Sequence, residues 1–186
     1  MRKIAILALG LVVLAAGCTS SPKIYSDYDP SGDFSRYKTY GFFDRVGTDN
    51  AQYSTLITQI LKDAVKREMA VRGYYYDESN PDLEVNFFVH SDEKTRVSTV
   101  PTSSMYVDPW YGHYGYWGAT RYETRVDQWT EGTLTIDLVD MQREQIVWEG
   151  SAVGRITEKA LKAPREPINN AVTAIFADYP FTAPNR

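Results

Sequence analysis

The sequence predicts an α+β fold, a two-layer sandwich in which two helices cover one face of a mostly antiparallel sheet of about four to five strands, in the order β-α-β-β-β-α. Three observations carry this. Residues 51–72 repeat apolar side chains at helical spacing, several later stretches alternate with the two-residue period of a strand, and a short polar turn at 140–144 joins two of those strands. A meander of strands supplies one apolar face, and two amphipathic helices suffice to cover it. At 186 residues, 43% hydrophobic and 24% charged, the chain has the size and composition of one folded domain rather than of a disordered one.

Taken in order, residues 24–34 mix Tyr25, Tyr28 and Phe34 with a turn signal from Asp29 to Gly32. Arg36 to Phe43, rich in Tyr, Thr and Phe, reads as the first strand. Ala51 to Arg72 is the strongest helix: Ile57, Ile60, Leu61, Ala64, Val65 and Met69 form a stripe, while Gln59, Lys62, Lys66 and Arg67 lie largely off it. Asn50 is its expected N-cap, and Gly73 suits the left-handed conformation past its last turn. Asp82 to His90 follows Pro81 and sets Leu83, Val85, Phe87 and Val89 against Glu84, Asn86, Phe88 and His90, a half-buried strand. Three more strands are expected at Ala119 to Asp127, Trp129 to Asp140 and Gln145 to Ile156. The last two form an antiparallel hairpin, with Ile146 and Trp148 alternating against Val147 and Glu149. A final helix is expected from Pro167, burying Ile168, Val172, Ile175 and Tyr179 before Pro180 stops it. The 14 Tyr, 7 Phe and 4 Trp give such a core large buried areas per residue.

The N-terminal 17 residues follow another design. Arg2 and Lys3 precede an apolar and small-residue run from Ile4 to Ala16, and Gly17 and Cys18 follow, which is the pattern of a signal peptide. The run is shorter than the roughly 20 residues a bilayer-spanning helix needs. Ala15, Ala16 and Gly17 suit a peptidase cleft just before Cys18, and the segment resembles a bacterial lipoprotein precursor, with Ala15 standing where Leu is usual in the lipobox. The resemblance implies cleavage between Gly17 and Cys18, diacylglyceryl transfer to Cys18 and acylation of the new amino terminus. With Thr19 next, it also implies sorting to the outer membrane of a Gram-negative bacterium, on its periplasmic face. Residues 1–17 are then the signal peptide, 18–23 a short lipidated tether containing Pro22, and 24–186 a single periplasmic domain. Removing 17 residues, Arg2 and Lys3 among them, leaves 169 residues and takes the formal charge from -4 to -6. An acidic body gains nothing from an acidic leaflet, so acyl chains must do the holding.

Four stretches taken together resemble the bacterial lipoprotein family catalogued as DUF4136, a domain of unknown function: Ser26 to Phe43 (SDYDPSGDFSRYKTYGFF), Pro81 to Phe87 (PDLEVNF), Glu131 to Asp140 (EGTLTIDLVD) and Ile146 to Ala152 (IVWEGSA). The resemblance covers nearly the whole mature chain in the same order. It implies an envelope location and a two-layer domain, and it brings no catalytic or ligand-binding residues.

The remaining chemistry is sparse. A sequence pI near 5.2 argues against nucleic acid as a partner. Cys18 is the only cysteine, which excludes intramolecular disulfides and multi-cysteine metal sites. The two histidines, His90 and His113, lie apart without the ligand spacing of a zinc site, so no metal or cofactor is expected. Asp137, Asp140, Glu131 and Glu149 are the carboxylates available for acid and base work on a glycan, but Asp137 falls on the polar face of its strand and Asp140 opens a turn. No nucleophile elbow, phosphate loop or dinucleotide fingerprint occurs, and Ser103 and Ser104 sit in a polar loop with no histidine near them in sequence. The segment Met105 to Gly118 (MYVDPWYGHYGYWG) stands out, with Tyr106, Trp110, Tyr111, Tyr114, Tyr116 and Trp117 among three glycines. Such rings suit stacking on sugars, insertion at a membrane interface or docking of a protein; the same composition also describes a low-complexity insertion folded back on its own sheet. The expectation is a non-enzymatic structural or interaction module, bound to the membrane through Cys18 and meeting an envelope protein or glycan. The alternative is a glycan-binding or glycan-cleaving domain using those aromatics with Asp108 or Glu123.

Overall fold

The computed structural model describes residues 21–49, 54–102 and 121–184. Among them, β1 (Lys23–Tyr28), β2 (Thr39–Phe42), β3 (Tyr75–Tyr76), β4 (Leu83–Thr102), β5 (Arg121–Asp140) and β6 (Gln145–Ile156) form one six-stranded sheet in the order β1-β6-β5-β4-β2-β3. The helices are α1 (Leu56–Val71), α2 (Glu158–Lys162) and α3 (Arg165–Ala177), and α1 and α3 share one core with the inward row of the sheet. The α+β class therefore stands, but six strands replace the expected four to five and the sheet is mixed. From β1 through β6 and β5 to β4 the pairing is antiparallel; β2 pairs parallel with both β4 and β3. The cause is the crossover through α1. A chain that leaves β2, crosses the sheet as a helix and returns beside β2 must run in the same direction. β1 escaped prediction because it is an edge strand with almost no buried residue, and β3 because it is two residues long.

The stripe on α1 is buried as expected, with Ile60, Leu61, Ala64, Val65 and Met69 in the core. The helix begins at Leu56 rather than Ala51, because Thr55 caps it: its hydroxyl accepts the Thr58 amide at 3.1 Å. The expected cap, Asn50, lies outside the described residues. Gly73 does take a left-handed φ of 83° past the last turn. At the other end of the chain, Pro167 sits within the first turn of α3 instead of opening it, and α2 precedes it as a separate short helix capped by Thr157. Tyr179 lies beyond α3 yet is buried, sharing a 2.8 Å hydrogen bond with Tyr74 and packing edge-on against Trp148 at 5.0 Å.

The largest departure is a hairpin. β4 continues twelve residues past the expected end at His90, and the two strands expected at 119–127 and 129–140 are one continuous β5. They pair without a break from Leu83 opposite Asp140 to Thr102 opposite Arg121, whereas β6 leaves the sheet where Ile156 meets Thr130. Beyond that point the two strands run on as a two-stranded arm. Leu83, Val85 and Phe87 are buried as expected, but Val89 is 53% exposed because the helical cover ends before it. In β6 a bulge opposite Leu138 and Val139 turns both Val147 and Trp148 inward and leaves Ile146 exposed, replacing the expected alternation.

Candidate functional site

Of the residues singled out in the sequence, Gly17, Cys18, the six aromatics from Tyr106 to Trp117, Asp108, His113, Ser103 and Ser104 lie outside the described residues. Of the carboxylates within them, register brings Asp137 and Glu149 side by side on neighbouring strands, whereas Asp140 and Glu131 stand apart from that pair. Asp137 and Asp140, three apart on β5, point to opposite faces. Asp140 accepts the Tyr37 hydroxyl at 2.7 Å and the amides of Gln142 and Arg143 at 2.8 and 3.0 Å, which closes the β5–β6 turn. Burial pushes its carboxyl up, but the bonds from Tyr37 and the two amides outweigh that and hold it below the ordinary aspartate value. Arg143 extends the network to Asp29 at 2.7 Å. The cavity here, about 30 Å³ between Arg36, Tyr37, Asp82, Asp140 and Gln142, has room for about one water molecule. Glu131 pairs with Lys94 at 3.7 Å, and His90 meets Asp92 at 3.0 Å on an exposed surface. Among the described residues no group of carboxylates, histidines or cysteines is placed to hold a metal ion.

On the sheet face away from the helices, register aligns Asp27, Glu149, Asp137 and Asn86 in one row across β1, β6, β5 and β4. Asp137 is only 6% exposed there, and its Oδ1 has no hydrogen-bond partner. Burial first, and the neighbouring Glu149 carboxylate second, raise its pKa from 3.8 to about 6. The Asn86 side chain is no donor of relief through its oxygen, which accepts the Gly47 amide at 2.9 Å and thereby pins the loop leading to α1. Alternation on the strand predicted a polar position for Asp137; the packing buries it.

The arm is two-faced. Register places Thr95, Val97, Thr99 and Pro101 of β4 with Gln128, Val126, Thr124 and Tyr122 of β5 on one side, none of them charged. The other side carries Lys94, Arg96, Ser98 and Val100 with Trp129, Asp127, Arg125 and Glu123. At its root the guanidinium groups of Arg155 and Arg96 lie over the Trp129 ring, 4.3 and 5.6 Å from its centroid. Sequence reasoning missed this grouping because Trp129 was expected to open a separate strand. Glu123, offered for the alternative reading, is exposed on the charged side, 4.0 Å from Arg125. Register also fixes where the tether joins: Lys23, the first residue of β1, lies in the same row as Val153, Thr133 and His90, at the end of the sheet from which the arm springs.

Together these features define a two-layer α+β domain with a mixed six-stranded sheet, helices on one face and a protruding hairpin. The chain belongs to the DUF4136 family, a domain of unknown function, whose family model matches residues 24–181. A DUF4136 family protein from Bacteroides thetaiotaomicron has a similar structure, with 17% identity and a TM-score of 0.52 over 88% of this chain and 98% of that one. A PDZ domain protein from Parabacteroides distasonis is similar at 16% identity and a TM-score of 0.55 over 89% of this chain, which spans only 38% of that protein. At such identities the likeness is one of fold. No curated protein matches the chain in sequence.

Proposed function

We propose that the protein is a lipid-anchored cell-envelope module that works by contact rather than by catalysis. In this reading acylated Cys18 holds it on the periplasmic face of the outer membrane, and its sheet and arm are presented to a structural or interaction partner. The observation that carries the reading is the closeness of Cys18 to the fold: β1 begins at Lys23, five residues later, so the domain rides directly on its anchor. The state of the polar groups supports it further, since Asp140, Arg143, Glu131 and His90 are all engaged in structural pairs. No helix among the described residues is long and apolar enough to cross a membrane.

Detergent partitioning and metabolic acyl labelling test the anchor, and both are expected to be lost in Cys18→Ser. A variant that still partitions with membrane and still takes label would refute it. The alternative reading, a glycan-binding or glycan-cleaving domain built on residues 105–118, makes a separate prediction: saturable binding of peptidoglycan fragments or lipopolysaccharide in calorimetric titration, which a contact module does not show.

A further inference from the structure

We propose that the uncharged face of the β4–β5 arm, which continues beyond the helices the sheet face they cover, rests on the phospholipid bilayer beside the acyl anchor. This rests on the lipidation of Cys18 proposed above and adds the surface by which the domain meets the membrane. The first argument is position. β1 starts in the row of His90, and Pro22 packs against Gly154, one row nearer the arm, so the tether leaves the domain on the arm's side.

The second argument is length. Five residues from Cys18 to Lys23 reach at most about 17 Å, whereas the twelve residues from His90 to Thr102 extend about 40 Å in the same direction. The arm therefore overshoots the plane in which Cys18 can be embedded. Pointing it away from the membrane would put the length of β1, about another 17 Å, between Lys23 and the bilayer and consume the whole tether. Driving it into the hydrocarbon would bury Arg96, Arg125, Glu123 and Asp127 with unpaired strand edges, which lipid does not tolerate. Lying along the surface remains.

The third argument is chemistry. Val97, Val126 and Tyr122 on the uncharged face are 64%, 57% and 66% exposed, an apolar investment that neither helix covers; Glu93 marks the root of this face, and from Thr95 outward the ionic side chains fall on the opposite one. A ribbon that is apolar and hydroxylic below and charged above matches a bilayer interface, where a tyrosine ring sits at headgroup level.

The test uses the full lipidated protein reconstituted into phospholipid vesicles. Because Cys18 is the only cysteine and its sulfur would carry lipid, Val97→Cys or Ser98→Cys accepts a single environment-sensitive fluorophore, on the uncharged or the charged face. Quenching by spin-labelled phospholipids is expected to be several-fold stronger at position 97 than at 98. Equal quenching at the two positions overturns the proposal. So does shielding of position 97 that ignores the lipid quencher and grows with protein-to-lipid ratio, which would assign the face to a second copy of the chain. Intact mass of the same preparation reads Cys18 acylation separately: with acyl chains present, equal quenching leaves the anchor standing and removes only the arm's contact, whereas an unacylated Cys18 overturns both.

Discussion

Replacing Asp137 by Asn removes a carboxyl group that the fold holds at a cost. Its pKa rises from 3.8 to about 6, and at about 1.4 kcal/mol per pKa unit the ionised form in the folded protein is disfavoured by about 3 kcal/mol. The sign follows from linkage. The folded state holds a proton that the unfolded chain releases, so the stability tied to this group is complete below the unfolded pKa of 3.8 and is lost as pH rises through about 6. In Asp137→Asn nothing titrates there. The variant should therefore gain on the parent by about 3 kcal/mol between pH 4 and pH 7.5, which for a domain of this size is roughly 6 to 12 °C in melting temperature. Urea unfolding of the chain from Thr19 onward, followed through the fluorescence of buried Trp148 at several pH values, measures the difference directly. Glu149→Gln should reproduce only part of the gain, because the neighbouring charge is the second cause of the shift and burial the first. Parallel stability curves for parent and Asp137→Asn from pH 4 to 7.5 would mean that Asp137 is not held in the buried, unpaired state from which the magnitude was worked.

Other expectations follow from single contacts. Thr55→Ala removes the cap of α1 and should cost about 1 kcal/mol in urea unfolding; no change would mean that another group caps the helix. Tyr179→Phe deletes one hydroxyl of a buried pair and leaves the Tyr74 hydroxyl without its partner, an expected loss of about 1 to 3 kcal/mol, and the double variant with Tyr74→Phe should recover part of it. Gly150→Ala would place a methyl group 2.5 Å from the Ile175 side chain and against the Trp148 ring. Both neighbours are fully buried, so a loss of about 1 to 3 kcal/mol is expected in thermal unfolding, with altered Trp148 emission.

The elements that bury an apolar face were legible from the sequence. The α1 stripe, the inward row Leu83, Val85 and Phe87, and the β5–β6 hairpin all follow from periodicity, because burial writes a period into the chain. The order strand, helix, strand around Ala51 to Arg72 also contained the parallel pairing of β2 and β4, since a helical crossover returns the chain in the direction it left. Reading the later meander as typical of the whole sheet concealed it. β1 and β3 contribute hydrogen bonds to the sheet and almost nothing to the core, so no period marks them.

The arm and Asp137 were illegible for opposite reasons. Along 94–101 the alternation runs between Thr, Val and Pro on one side and Lys, Arg, Ser and Val on the other, a contrast too weak to separate from a polar loop unless its partner strand is known. Pairing supplies the missing information: Val97 opposite Val126 and Arg96 opposite Asp127 make sense only together. Asp137 had the correct face in the sequence and the wrong environment. Register seats it between Asn86 of β4 and Glu149 of β6, and neither neighbour is local in sequence. The two features then constrain function differently. A buried carboxyl is a feature of stability and its pH dependence, whereas a ribbon with one face uncharged from Thr95 outward, rooted at the end of the sheet where the tether enters, is the surface proposed above to meet the bilayer.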